Sequence, residues 1–172
     1  MAAVAYAYPW SGLIARFKFR GEVGWAPWLA RVMLQTPGAE HCWEGVDWLV
    51  PMPMTPERLV ERGHHPAWLL TQALRADMPS AHPPPALADG LVRLQHGEHQ
   101  HNLPRAQRLL NPSLACVSHP QHASRWLGAH VLLIDDVCTT GASLQAAARA
   151  LRQAGAAKVS AWVLARTPPH HR

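Results

Sequence analysis

One stretch limits the choice of fold more than any other. Val131, Leu132, Leu133 and Ile134 are continuously apolar. Asp135 and Asp136 follow, and Val137, Cys138, Thr139, Thr140, Gly141, Ala142 and Ser143 then lead into a helical pattern. Four apolar residues in a row suit a strand buried on both faces, as in a parallel sheet covered by helices. The spacing predicts a helix over residues 140–153, with Leu144, Ala147, Ala148 and Leu151 on one face and Gly155 at the C-terminal cap. In open α/β sheets, ligands sit beyond the carboxyl ends of the strands. This order places two carboxylates and a turn of small residues there.

The rest of the chain supports an alternating pattern. Residues 13–34 predict a short strand or helix and then a helix over 25–34, ended by Thr36-Pro37-Gly38. Residues 47–52 read as a buried strand stopped by Pro53. Residues 55–65 read as a polar connection. Pro66 suits the first turn of a helix whose inner face carries Ala67, Leu70, Ala73 and Leu74. Further strands are expected at 90–95, 114–117 and 159–164, joined by a Pro-rich link at 78–89, a polar segment at 96–110 and a connection at 119–128. The prediction is a single α/β domain with a mainly parallel central sheet of about five strands flanked by helices. Residues 1–45 form an N-terminal hood or lead-in, and residues 46–172 the core.

Composition removes several classes. With 48% hydrophobic and 16% charged residues, the chain of 172 residues can bury a core and is not disordered as a whole. No apolar run reaches the length of a membrane span. The apolar start is followed, not preceded, by its first positive charge, Arg16, so no export signal is read and the cytosol is expected. Cys42, Cys116 and Cys138 have no C-x-x-C spacing, hence neither a disulfide framework nor a zinc knuckle. His96, Glu98, His99 and His101 match no standard zinc spacing, and no protein-held metal is predicted. Net charge is +5, nearly all of it from Arg, whose fork suits phosphate.

The turn after Ile134 has specific chemistry. Backbone N–H groups at a helix start attract an anion, the hydroxyls of Thr139, Thr140 and Ser143 add donors, and Gly141 permits close approach. The two carboxylates cannot hold the same anion. They must face hydrogen-bond donors, such as a diol, or a hydrated cation. A sugar monophosphate such as ribose 5-phosphate satisfies both halves. A receiver domain would need far more chain than the 36 residues after Asp136. A dehalogenase-like nucleophile needs Asp-x-Asp. No P-loop and no Gly-x-Gly-x-x-Gly occurs.

Residues 131–143 resemble the phosphoribosyl pyrophosphate (PRPP) signature of type I phosphoribosyltransferases. Wider similarity is to the ComF/GntX type, named for competence and DNA uptake. It is carried by Phe17-Lys18-Phe19-Arg20-Gly21, Leu49-Val50-Pro51-Met52-Pro53, Arg58, Glu61-Arg62-Gly63, Arg93, Gln100-His101, Arg108, Asn111, Gly155-Ala156-Ala157, Val159, and Trp162 through Arg166-Thr167. The resemblance implies a type I phosphoribosyltransferase-like fold. Asp135 and Asp136 would bind the ribose hydroxyls, and Thr139, Thr140, Gly141, Ala142 and Ser143 the 5′-phosphate, with Val137 and Cys138 in the same loop. Arg62 and Gly63 would hold pyrophosphate, and Arg93, Gln100 and Arg108 belong to a loop closing over the ligand. Mg²⁺ would ride on the pyrophosphate. Asp135, Asp136 and Arg62 are the expected catalytic residues of a phosphoribosyl transfer that releases pyrophosphate.

The chain departs from that family in three places. It has no zinc-binding cysteine cluster. It reads Arg62-Gly63-His64-His65-Pro66 where the family has Arg-Gly-Phe-Asn-Gln. It has Gln95 and Gly97 where Arg and Thr are common. These departures motivate a second reading: a module that binds PRPP without turnover, or that docks single-stranded DNA or competence-machinery proteins through its Arg and Trp residues. Homo-oligomerisation stays open.

Overall fold

The structure is a computed structural model, and it describes residues 1–94 and 116–168. Four parallel strands form the central sheet: β1 (Ala2–Ala5), β2 (Trp48–Pro51), β5 (His130–Cys138) and β6 (Lys158–Arg166), in the order β1-β6-β5-β2. About five strands were expected, and the difference has a clear cause. The segments expected at 90–95 and 114–117 pair with each other instead, as the antiparallel ribbon β3 (Leu91–Arg93) with β4 (Cys116–Ser118). The unforeseen β1 takes an edge, with Ala2 opposite Val163 and Ala5 opposite Arg166.

Side chains alternate across the sheet and feed two cores. Leu49, Leu132, Ile134, Trp162 and Leu164 face one side. There they meet α1 (Trp10–Phe19), α2 (Ala26–Leu34) and α5 (Pro66–Asp77) through Ile14, Phe17, Leu29, Ala30, Met33, Leu70 and Leu74. Val50, Val131 and Leu133 face the other side, against Trp126 and the Ala147 and Leu151 face of α6 (Ala142–Gln153). Residues 1–45 therefore contribute a strand and two packed helices to the first core. The short α3 (Glu40–Trp43) completes that segment.

Two further elements differ from expectation. The polar stretch 55–65 contains a helix, α4 (Pro56–Arg62), and residues 120–126 form a 3-10 helix, Pro120–Trp126. On the outer side of β2, residues 85–87 run alongside. Leu49 N–H donates to Pro85 O and Leu87 N–H to Leu49 O, each at 2.9 Å. No helix among the described residues is long and apolar enough to cross a membrane.

Candidate functional site

Strands β2 and β5 pair in register, Pro51 beside Ile134, and the helices packed after them lie on opposite faces, α5 on one and α6 on the other. That divergence opens a crevice at the strands' carboxyl ends. A cavity of about 440 Å³ lies there. Lys18 and Phe19 of α1, Met52, Pro53 and Met54 after β2, and Arg58, Glu61 and Arg62 of α4 line it. His65 to Ala67, Arg93 of β3, Asp135 to Val137 of β5, and Ser143 of α6 complete the lining. A second cavity of about 110 Å³ is formed by the turn from Cys138 to Ala142 and shares Asp135, Val137 and Ser143 with the first.

β5 does not stop before its acids. It runs through Asp135 and Asp136 to Cys138, because β6 continues to pair with it, Asp135 opposite Val163 and Cys138 opposite Arg166. Alternation then sends the two carboxylates to opposite faces. Asp136, only 4% exposed, lies on the α1 side, where its Oδ1 is 2.8 Å from Lys18 Nζ and also accepts Val137 N–H at 2.7 Å. Asp135 Oδ1 accepts Asp136 N–H at 2.9 Å. Burial, and secondly the negative charge of Asp136, push the Asp135 carboxyl well above the usual carboxylate range.

The turn after β5 is open. Thr139 and Thr140 are exposed, and Thr140 Oγ1 accepts Ala142 N–H at 3.3 Å. Gly141 caps α6 at φ +81°, a conformation that favours glycine, and brings no side-chain cap. Apart from Ala142 N–H, the first amides of α6 have no side-chain cap among the described residues and can meet an external acceptor. Cys138 contributes its carbonyl to Thr167 N–H at 3.0 Å.

The opposite wall is cationic. Arg62 ends α4 and lies over the Phe19 ring, 4.9 Å from its centroid. Gly63 closes the helix at φ +73°. His64 presents Nε2 to Phe17 O at 2.9 Å and Nδ1 to Arg62 O at 3.0 Å, so it joins α1 to the end of α4. His65 caps α5, its Nδ1 accepting Trp68 N–H at 3.2 Å. Burial pushes the His65 imidazole below its ordinary value, and the proton on Nε2 is a donor in a cavity residue.

The structure therefore brings Asp135, Asp136, Val137, Ser143, Arg62 and Arg93 to one cavity and Cys138 through Ala142 to its annex. Gly63 sits beside it as the cap of α4. Gln100 and Arg108 lie outside the described residues. Sequence reasoning missed Lys18, Arg58, Glu61 and His65 as cavity residues. The motif Phe17-Lys18-Phe19 and the run Thr55-Pro56 to Gly63, a helix start and stop, were the available signals.

A model of the phosphoribosyl transferase domain family matches residues 97–171. Competence protein ComFC of Bacillus subtilis is 41% identical over 120 residues, 69% of this chain and 44% of that protein. The chain thus spans less than half the length of that relative. Competence protein F of Haemophilus influenzae is 31% identical over 169 residues, 94% of this chain and 69% of that protein. DNA utilization protein YhgH of Salmonella typhi is 31% identical over 165 residues, 94% of this chain and 69% of that protein. Among solved structures, a hypoxanthine phosphoribosyltransferase of Trypanosoma cruzi aligns with a TM-score of 0.46 at 15% identity, over 87% of this chain and 70% of that one. With nearly its whole length aligned to competence protein F, the chain belongs to the ComF family of phosphoribosyltransferase-like proteins.

Proposed function

We propose that the chain binds PRPP in this crevice and transfers its phosphoribosyl group with release of pyrophosphate. The observation that carries the reading is the split of charge around the crevice. Two carboxylates and an uncapped helix start lie on the β5 side, and Lys18, Arg58, Arg62 and Arg93 line the other walls. The 5′-phosphate sits in the annex against the amides and hydroxyls from Thr139 to Ser143. The ribose hydroxyls donate to Asp135 and Asp136. The pyrophosphate faces Arg62, which is displaced from Phe19 to meet it.

Asp135, Asp136 and Glu61 are hard oxygen donors in the cavity, a set that suits Mg²⁺. Mg²⁺ would offset the charge of the departing pyrophosphate. Lys18 already places a positive charge 2.8 Å from Asp136 Oδ1, which favours a metal carried on the ligand over one seated between the aspartates. Bond breaking at C1′ through an oxocarbenium-like state asks little of acid–base groups. It asks for positioning, charge neutralisation and exclusion of water.

Calorimetry with PRPP and Mg²⁺ tests the site. Asp135→Asn with Asp136→Asn weakens binding by at least about tenfold, about 1.4 kcal/mol. Equal affinity of the two proteins refutes it. The alternative, binding without turnover, draws support from His64, which here joins two backbone segments. Pyrophosphate release with a panel of bases separates the two. Salt-sensitive retention of single-stranded DNA tests whether the cationic wall serves a nucleic-acid partner.

A further inference from the structure

Away from the crevice, three side chains from separate points in the chain meet beside the β3–β4 ribbon. Asp89 precedes β3, His119 follows β4, and His122 lies in the 3-10 helix Pro120–Trp126. One ligand atom from each lies within 4.8 Å of the others. His122 Nε2 is 3.0 Å from Asp89 Oδ1, and the two imidazole centroids are 5.2 Å apart. The His122 side chain is 13% exposed and that of Asp89 60%, so the cluster is closed on one side and open to water on the other. His122 Nδ1 is buried and has no hydrogen-bond partner among the described residues. A hydrogen bond between His122 and Asp89 accounts for two of the three groups. It does not account for a second imidazole brought against the first, which would repel it if both were protonated.

We propose that Asp89, His119 and His122 form a binding site for a divalent transition metal of the zinc class, with water in the remaining position. Two imidazoles and one carboxylate suit Zn²⁺, Co²⁺ or Ni²⁺, whereas Mg²⁺ and Ca²⁺ prefer oxygen alone. The metal replaces the proton between His122 Nε2 and Asp89. At His119, a metal on Nε2 shifts the ring proton to Nδ1 and gives up the long 3.3 Å contact from Gln121 N–H.

The frame behind the site is rigid. His119 N–H donates to Gly90 O at 3.1 Å, and Trp126 Nε1 donates to Ser118 Oγ at 2.7 Å. Gly90 packs so closely on Trp126 that a Cβ there would lie 3.1 Å from the ring. Three ligands on such a frame are held near a common point before the metal arrives. The bound metal ties both strands of the ribbon to the 3-10 helix, and β3 ends in Arg93, which lines the crevice. The metal is thus a structural tie that holds the base of the strand carrying Arg93.

The test uses the full chain, stripped of metal by chelator and dialysis, and titrated with Zn²⁺ and with Co²⁺. One equivalent of Zn²⁺ binds per chain and raises Tm, and Co²⁺ develops the visible bands of a low-coordinate site. His119→Asn and His122→Asn each weaken Zn²⁺ binding by about 100-fold or more, since loss of a ligand exceeds the 10–100-fold typical of an outer partner. Asp89→Asn changes an exposed side chain, leaves Tm without metal unchanged, and weakens binding at least about tenfold. The triple change His96→Asn, His99→Asn and His101→Asn leaves binding intact. The proposal is overturned if Zn²⁺ does not bind, or if binding survives in the His119→Asn/His122→Asn protein, whatever the triple variant does.

Discussion

Two neighbouring strands end side by side at the crevice, and their continuations are built differently. β5 carries its two aspartates inside a paired strand, then turns through Gly141 into α6, whose Ala147, Ala150 and Leu151 are buried. β2 passes through buried Met52 and Pro53 into α4, which buries no residue at all. One wall is part of the core. The other is held by its ends: Thr55 Oγ1 accepting Arg58 N–H at 3.4 Å, Gly63 closing the last turn, and His64 reaching Phe17 O. Free energies of local opening follow buried contact. The β5 wall is therefore the fixed side of the crevice, and α4 is the side that can adjust.

The largest expected effect tests how the fixed wall tolerates its buried charge. Lys18→Met leaves Asp136 without its cation. Stripping one partner from a buried pair costs about 3 kcal/mol, seen as a lower denaturant midpoint at an unchanged slope. An unchanged midpoint would show that the carboxylate needs no counterion. Next comes the adjustable wall. Gly63→Ala meets no neighbour but must hold a left-handed conformation, at about 1–2 kcal/mol. Amide exchange should quicken in α4 while the amides of β5 and of α6 from Gln145 onward keep their protection. Equal quickening in both would erase the distinction between the walls. If the proposed phosphate site holds, Thr140→Ala should weaken ribose 5-phosphate by about 1 kcal/mol, read by calorimetry. Unchanged affinity would take the hydroxyl out of the site.

The smallest effect comes from Asp135. Its carboxyl holds a proton more tightly in the folded chain than in the unfolded one. The folded state therefore loses stability as pH rises from the ordinary carboxylate value through the raised one. Asp135→Asn removes that loss. Its Tm advantage should be absent in acid and grow to the order of a few degrees at neutral pH. A constant difference across pH would place the cause elsewhere.

Much of the fixed wall was legible because it is local: apolar strand, acids, small turn and helix follow one another within about two dozen residues. The unforeseen parts depend on distant partners. β1 is four residues that become a strand only by pairing with residues 163–166. α4 buries no residue, so hydrophobic periodicity gives no signal there. Its capping Thr55, first-turn Pro56 and closing Gly63 did mark it. Lys18 lay within a noticed motif, but its meeting with Asp136 is a contact across 118 positions that spacing does not encode. The ribbon was read as two sheet strands because pairing partners are a tertiary choice.

The Pro-rich link has a consequence for self-association. Residues 85–87 lie against the outer rim of β2, directly after Pro83 and Pro84. Leu49 N–H and C=O are taken up by Pro85 O and Leu87 N–H, so an incoming strand finds that part of the β2 rim already paired. A second copy that paired with β2 at Leu49 would first have to displace that link.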